Sequence, residues 1–261
     1  MNRYTSLAAL LCAGLLTACG EDAVQKIITA PLPASRIRFF NFGVNAPGVN
    51  FYANETKMTA ITSATGTEST TGTVYGAVGA SGAYAAIDPG QYTLTGKIAA
   101  TTDKDLAISP LTTTIAEGKY YSYYMSGIYN TTTKTVEAFV VEDPIVEPTD
   151  FSKATVRFVH AISNANPMTL YAKNTTTATE LAVGGEVAYK NAGAFVTVLP
   201  TGIYDLSTRY TGSATNVITR PAITFLGGRV YTITARGDIT SAASTACGTA
   251  NRTCLDNTAN R

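Results

Sequence analysis

One histidine, four cysteines and a scatter of carboxylates are all that this chain offers to acid–base, nucleophilic or metal chemistry. His160 has the unperturbed pKa for general-base work near pH 7, but no Ser or Cys nucleophile motif and no spaced carboxylate accompanies it. In an internal repeat, described below, the matching position is Asn41. A histidine that alternates with an amide is expected to be a strand-end group that hydrogen-bonds the backbone of the next turn. Asp103 and Asp105 form an Asp-x-Asp pair in a loop, which leaves calcium open, although the glycine and distal bidentate Glu of a calcium loop are missing. One His and two cysteines beyond Cys19 cannot assemble a zinc or iron site at any known spacing. Cys247 and Cys254 close a short Gly/Asn/Thr loop, and in an oxidising compartment they are expected to form a disulfide. No catalytic residue, metal ligand or cofactor is expected, and the ligand-binding residues stay unassigned.

Two further patterns have a binding and a bland reading. Asn54-Glu55-Thr56, Asn130-Thr131-Thr132 and Asn174-Thr175-Thr176 match the glycosylation sequon, but a Thr-rich chain produces such triplets by chance, and they are read as loops. Tyr120, Tyr121, Tyr123 and Tyr124 would make an aromatic platform for sugars if exposed. On a strand, alternate members must face a core, which leaves two of the four open to that role.

The N-terminus carries the one cysteine with a chemical address. Arg3 supplies a positive end, and Leu7 to Leu16 an apolar run too short to cross a bilayer. The run closes on Leu16-Thr17-Ala18-Cys19, which resembles the lipobox of bacterial lipoproteins. That resemblance implies cleavage after residue 18 and acylation of Cys19 by fatty chains such as palmitate. Gly20 rather than Asp follows, implying lipid anchoring in the outer membrane, on its periplasmic or surface face. The alternative is an ordinary signal peptide with a cysteine near its cleavage site. Cys12 would be lost with the segment.

The elements that must position these residues come in two copies. Ile37-Arg38-Phe39-Phe40-Asn41 returns as Val156-Arg157-Phe158-Val159-His160, and Phe51-Tyr52 as Leu170-Tyr171, at one offset of 119 (157 − 38) without a gap. A fixed offset across a segment marks two copies of one unit. Apolar Ile37 and Phe39 alternate with Arg38, which is strand periodicity, and each copy breaks at an Asn/Gly/Pro turn. Asp88-Pro89-Gly90-Gln91-Tyr92 is answered by Leu199-Pro200-Thr201-Gly202-Ile203-Tyr204, and Glu117-Gly118-Lys119-Tyr120 by Gly227-Gly228-Arg229-Val230. The expected division is a signal peptide over 1–18, a tether over 19–35, a first domain over 36–143, a linker over 144–152 and a second domain over 153–240. The remaining residues, 241–261, are expected to be a tail, because nothing after Gly237 matches Thr135 to Val141.

Thr, Tyr, Val, Ile and Phe suit pleated, half-buried surfaces, and no window after the first twenty residues shows helical periodicity. About seven strands in the first unit, with turn signals every 8–12 residues, and a second copy with a shorter end predict an all-β chain of two tandem immunoglobulin-like or transthyretin-like β-sandwiches. Loss of Arg3 with the signal takes Lys+Arg from 19 to 18, equal to the 18 Asp+Glu. No cationic cluster is available to displace counterions from phosphates, so nucleic acid is not an expected partner.

With these strands and turns stated, the tandem units resemble a family of exported bacterial β-sandwich lipoproteins, domain of unknown function 4397. The resemblance covers most of the mature chain and departs where Asn41 answers His160 and where Gly48 answers Pro167. It implies no catalytic residues. The expected function is a non-catalytic, lipid-anchored envelope protein that binds proteins or glycans or has a structural role. An extracytoplasmic hydrolase and a carbohydrate-binding accessory protein are the alternatives.

Overall fold

The strand periodicity at Ile37–Phe39 becomes β1 (Arg36–Val44), and its repeat becomes β9 (Lys153–Ala161). The computed structural model describes residues 35–60, 66–144, 147–243, 245, 247–248 and 252–260. The expected signal segment, Cys19 and the expected tether as far as residue 34 lie outside the described residues.

The first unit continues with β2 (Val49–Ala53), β3 (Thr56–Lys57), β4 (Ala85–Ala86), β5 (Gly90–Ile98), β6 (Leu111–Ile115), β7 (Tyr120–Asn130) and β8 (Thr135–Glu142). These form two four-stranded sheets, β4-β1-β7-β8 and β3-β2-β5-β6. The second unit continues with β10 (Met168–Asn174), β11 (Glu180–Val187), β12 (Val196–Pro200), β13 (Gly202–Tyr210), β14 (Ile218–Phe225), β15 (Val230–Arg236) and β16 (Cys254–Ala259). Its sheets are β12-β9-β15-β16 and β11-β10-β13-β14, the same orders strand for strand. In both units the first strand pairs in parallel with the seventh, β1 with β7 and β9 with β15. The chain is thus nearly all β, arranged as sandwich layers, as its composition predicts.

One boundary differs from expectation. The expected tail over 241–261 contains a strand of the second sandwich, because β16 (Cys254–Ala259) pairs antiparallel with β15 from Tyr231–Ala259 to Arg236–Cys254 and supplies its eighth strand. Its likeness to β8 is invisible in sequence because an edge strand needs few core contacts; only Cys254 and Leu255 at its start are buried. Asp143 is 3% exposed and inside the protein.

Three apolar layers separate four sheets. One core lies within the first unit, with Ile37, Phe39, Phe51, Leu94, Tyr123 and Met125. Another lies within the second, with Phe158, Leu170, Tyr204, Leu206, Phe225 and Ile233. Between them, Phe40, Phe42, Tyr124 and Phe139 of the β4-β1-β7-β8 sheet meet Val159 and Ala161 of the β12-β9-β15-β16 sheet. The inner sheets are therefore covered on both faces, which explains why β1 and β9 are apolar at both parities. It also removes the aromatic platform. Tyr121 and Tyr123 face the first core, while Tyr124 stacks on Phe40 at 4.5 Å and on Phe139 at 5.0 Å between the units. Tyr120, half-buried, sits edge-on to Tyr84.

Candidate functional site

His160 is fully buried near the end of β9. Its Nδ1 accepts the backbone N–H of Ile162 at 3.3 Å, which leaves Nε2 to donate to the carbonyl of Asn166 at 3.1 Å. Asn41 does the same work in the first unit: Oδ1 accepts from the Gly43 N–H and Nδ2 donates to the Pro47 carbonyl, each at 3.3 Å. Partner for partner, the two sets are 119 residues apart. Burial holds the imidazole below its ordinary pKa, so it stands neutral. Both ring nitrogens are committed to backbone, as the sequence reading expects of a turn-holding group.

The other sequence candidates do not converge on His160. Asp103 is bound by Lys134 Nζ at 2.6 Å, so the Asp-x-Asp loop already holds a cation of the protein's own. Cys247 and Cys254 are joined, with Cα atoms 5.5 Å apart. Asp256 lies near their sulfurs, the one metal-sized cluster among the described residues, but disulfide sulfurs offer no thiolate. The sequon asparagines hold turns: Asn130 Oδ1 accepts from the Thr132 and Thr133 N–H groups, and Asn174 Oδ1 from those of Thr176 and Thr177. Cys19 lies outside the described residues.

A polar centre that the sequence reading missed lies between the two units. The Asp143 carboxylate takes an ion pair from Arg157 Nη2 and hydrogen bonds from Ser122 Oγ at 2.6 Å and Tyr84 OH at 2.7 Å. Arg38 Nη2 is 3.9 Å from it, with the guanidinium 4.1 Å over the Tyr84 ring. Burial, then the Asp143 charge, pushes the Tyr84 phenol far above its ordinary pKa. Arg38, Arg157 and Asp143 are at most 3% exposed. Both arginines also cross the interface, Arg157 to the Glu142 carbonyl at 2.9 Å and Arg38 to the Ala259 carbonyl at 3.3 Å.

Contacts repeat reciprocally along the interface. At the far end, Ser126 of β7 donates to the carbonyl of Ala161, and Arg236 of β15 lies over the ring of Phe42, which is Ala161's counterpart. Tyr189 reaches into the first unit to donate to Glu137 at 2.7 Å, lowering that carboxyl's pKa. The signal in the sequence was an arginine repeated inside strands that are apolar on both faces. A solvent-facing cation does not need Phe40 and Phe42 beside it.

The outer faces carry a second repeated arrangement. On the first unit, Lys97 Nζ lies 4.5 Å over the Tyr52 ring and pairs with Glu55 at 2.9 Å. On the second, the Arg209 guanidinium lies 4.3 Å over Tyr171 and pairs with Glu180 at 2.7 Å. Lys97 and Arg209 face Asn50 and Thr169, which are equivalent. Beside the second trio is a cleft of about 330 Å³ lined by Lys173, Glu180, Asp205, Ser207, Asn216 and Thr219. Its lining offers ammonium, carboxylate, hydroxyl and amide groups.

The family profile described as "Domain of unknown function (DUF4397)" matches residues 35–171 and again 154–254. No curated protein matches the chain.

Proposed function

Because the chain belongs to the DUF4397 family in tandem copies, whose description carries no activity, we propose that it is a non-catalytic, lipid-anchored protein of the bacterial outer membrane that acts by binding. The observation that carries this reading is Leu16-Thr17-Ala18-Cys19, placed sixteen residues ahead of a double sandwich that begins at Ser35. Acyl chains on Cys19 would supply the membrane affinity at about 0.8 kcal/mol per buried methylene, lasting when two or more chains insert. None of the described helices is long and apolar enough to cross a bilayer. Cys19→Ala should leave an unprocessed or soluble form; wild-type protein found in the aqueous phase of a detergent partition would overturn the reading.

A glycan is the ligand class favoured by the outer face of the second unit. The cation-capped Tyr171 and the adjoining cleft combine an aromatic ring with hydroxyl, amide and carboxylate groups. Titration with envelope polysaccharide fragments tests this, using Asp205→Ala and Asn216→Ala as the cleft variants. Binding that both variants leave unchanged would remove the cleft from the reading.

A further inference from the structure

Phe151, just ahead of β9, is 76% exposed, and Leu226, in the turn between β14 and β15, is 49% exposed. They belong to one end of the second sandwich. The Phe151 ring lies against Gly228, where an added Cβ would come within 2.7 Å of Cδ1. Its carbonyl lies against Gly227, where an added Cβ would come within 2.2 Å. Flanking hydrogen bonds fix the segment, from Thr201 N–H to the Ser152 carbonyl and from Gly228 N–H to the Lys153 carbonyl. The ring is thus seated on a glycine pair and held outward by the fold.

Ser35, the first described residue, is bound to the equivalent turn of the first sandwich, accepting from Gly118 N–H and donating to the Ala116 carbonyl. β1 and β9 run side by side in one direction, since Arg38 and Arg157 meet at Asp143 while Phe42 and Ala161 share the middle layer further along. Ser35 and Phe151 therefore stand at the same end of the stack. Cys19 lies sixteen residues upstream of Ser35, a span of roughly 50 Å at full extension.

We propose that this end of the double sandwich rests on the phospholipid surface that holds the anchor, with Phe151 and Leu226 in the boundary between headgroups and acyl chains. The inference rests on the lipid-anchored reading and deepens it. Two apolar side chains alone would hold a free protein weakly, but a tether of this length raises their effective concentration at the bilayer to the order of millimolar. Lys153 with Asp150 and Lys119 with Glu142 neutralise each other at this end.

The chain has no tryptophan, so single-tryptophan probes are unambiguous. The full acylated chain is reconstituted in vesicles of phosphatidylethanolamine and phosphatidylglycerol carrying Phe151→Trp, Leu226→Trp or, at the opposite end of the stack, Ile128→Trp. The first two are expected to shift to shorter emission wavelength and to be quenched several-fold more by brominated lipid than Ile128→Trp. Flotation of the wild type checks the anchor separately. A chain that floats while all three probes remain unquenched overturns the docking and spares the anchor; a chain that does not float overturns both.

Discussion

Asp143 and Asn260 occupy equivalent positions, one residue beyond β8 and β16, and only Asp143 can carry a charge. Each donates its backbone N–H to the first residue of the neighbouring strand, Asp143 to the Tyr120 carbonyl and Asn260 to the Val230 carbonyl. Each accepts from a hydroxyl of that strand, Ser122 Oγ for Asp143 and Thr232 Oγ1 for Asn260. The facing arginine of the other unit comes to both places. Arg157 finds a carboxylate at Asp143, whereas Arg38 finds the Ala259 carbonyl beside an amide, and its Nε and Nη2 make no hydrogen bond. The interface has the reciprocal form of a symmetric dimer built within one chain, with its two arginines sharing one carboxylate, Asp143, which Arg157 engages closely and Arg38 Nη2 approaches to 3.9 Å.

Asn260→Asp is therefore expected to stabilise the protein, by about 1–2 kcal/mol after desolvation of the new carboxylate. Asp143→Asn strands the buried Arg157 and should cost about 3–5 kcal/mol. The double variant moves the carboxylate to the other half of the interface and should recover part of that loss. Urea melts of the three proteins measure it; a less stable Asn260→Asp would show that the shared Asp143 already satisfies Arg38.

The shared task of His160 and Asn41 makes a second expectation. His160→Asn installs the side chain that the first unit already uses and should cost under about 1 kcal/mol, whereas His160→Leu leaves the turn backbone without its partners, at about 1–3 kcal/mol. The pH dependence follows from the lowered pKa. The unfolded chain binds the proton more readily, so His160's share of stability is complete above its unfolded value of about 6.5 and is lost as pH falls toward the folded value. His160→Asn should flatten the stability profile in that window. An unchanged slope would place the titration elsewhere.

Much of the fold was legible because strand alternation, turn residues and a fixed offset between copies act locally. The role of His160 could be read the same way, from one residue exchanged for an amide in an otherwise matched turn. What escaped was whatever depends on the second sandwich covering the first. Tyr124 has the alternation of an exposed face and is buried there by Phe40 and Phe139. Strand β16 is specified by its register with β15 more than by its own side chains, so its polar Asp256-Asn257-Thr258 reads as a tail. Asp143 sits at a strand end beside prolines, where a carboxylate ordinarily meets water.

The disulfide's position gives it a specific job. Cys254 opens β16, the edge strand whose Ala259 carbonyl receives Arg38, so joining it to Cys247 limits the freedom of that strand when unpaired. Closing so short a loop is worth about 2.5 kcal/mol in the chain-entropy treatment. Cys247→Ser with Cys254→Ser should lower stability by up to about that amount and speed amide exchange in β16 ahead of β15. Uniform exchange in both strands would show that β16 is held by its ladder alone.

The final expectation concerns the units apart. A fragment of residues 153–240 lacks β16 and exposes one side of β15, so it should show no cooperative melt; residues 153–261 restore the strand and should melt cooperatively. The two units bring unequal surfaces to their interface. The first presents Phe40, Phe42, Tyr124 and Phe139, the second Val159 and Ala161 among Arg157, Thr232 and Arg236. Separated, the second unit would show water small apolar and charged groups, while the first would show four large aromatic rings on one sheet. Residues 35–144 should consequently self-associate at concentrations where residues 153–261 remain monomeric, and mixing the two should dissolve the association by rebuilding the middle layer. Sedimentation of each fragment and of the mixture decides the point, and a monomeric first unit would mean that its aromatic face is satisfied without the second.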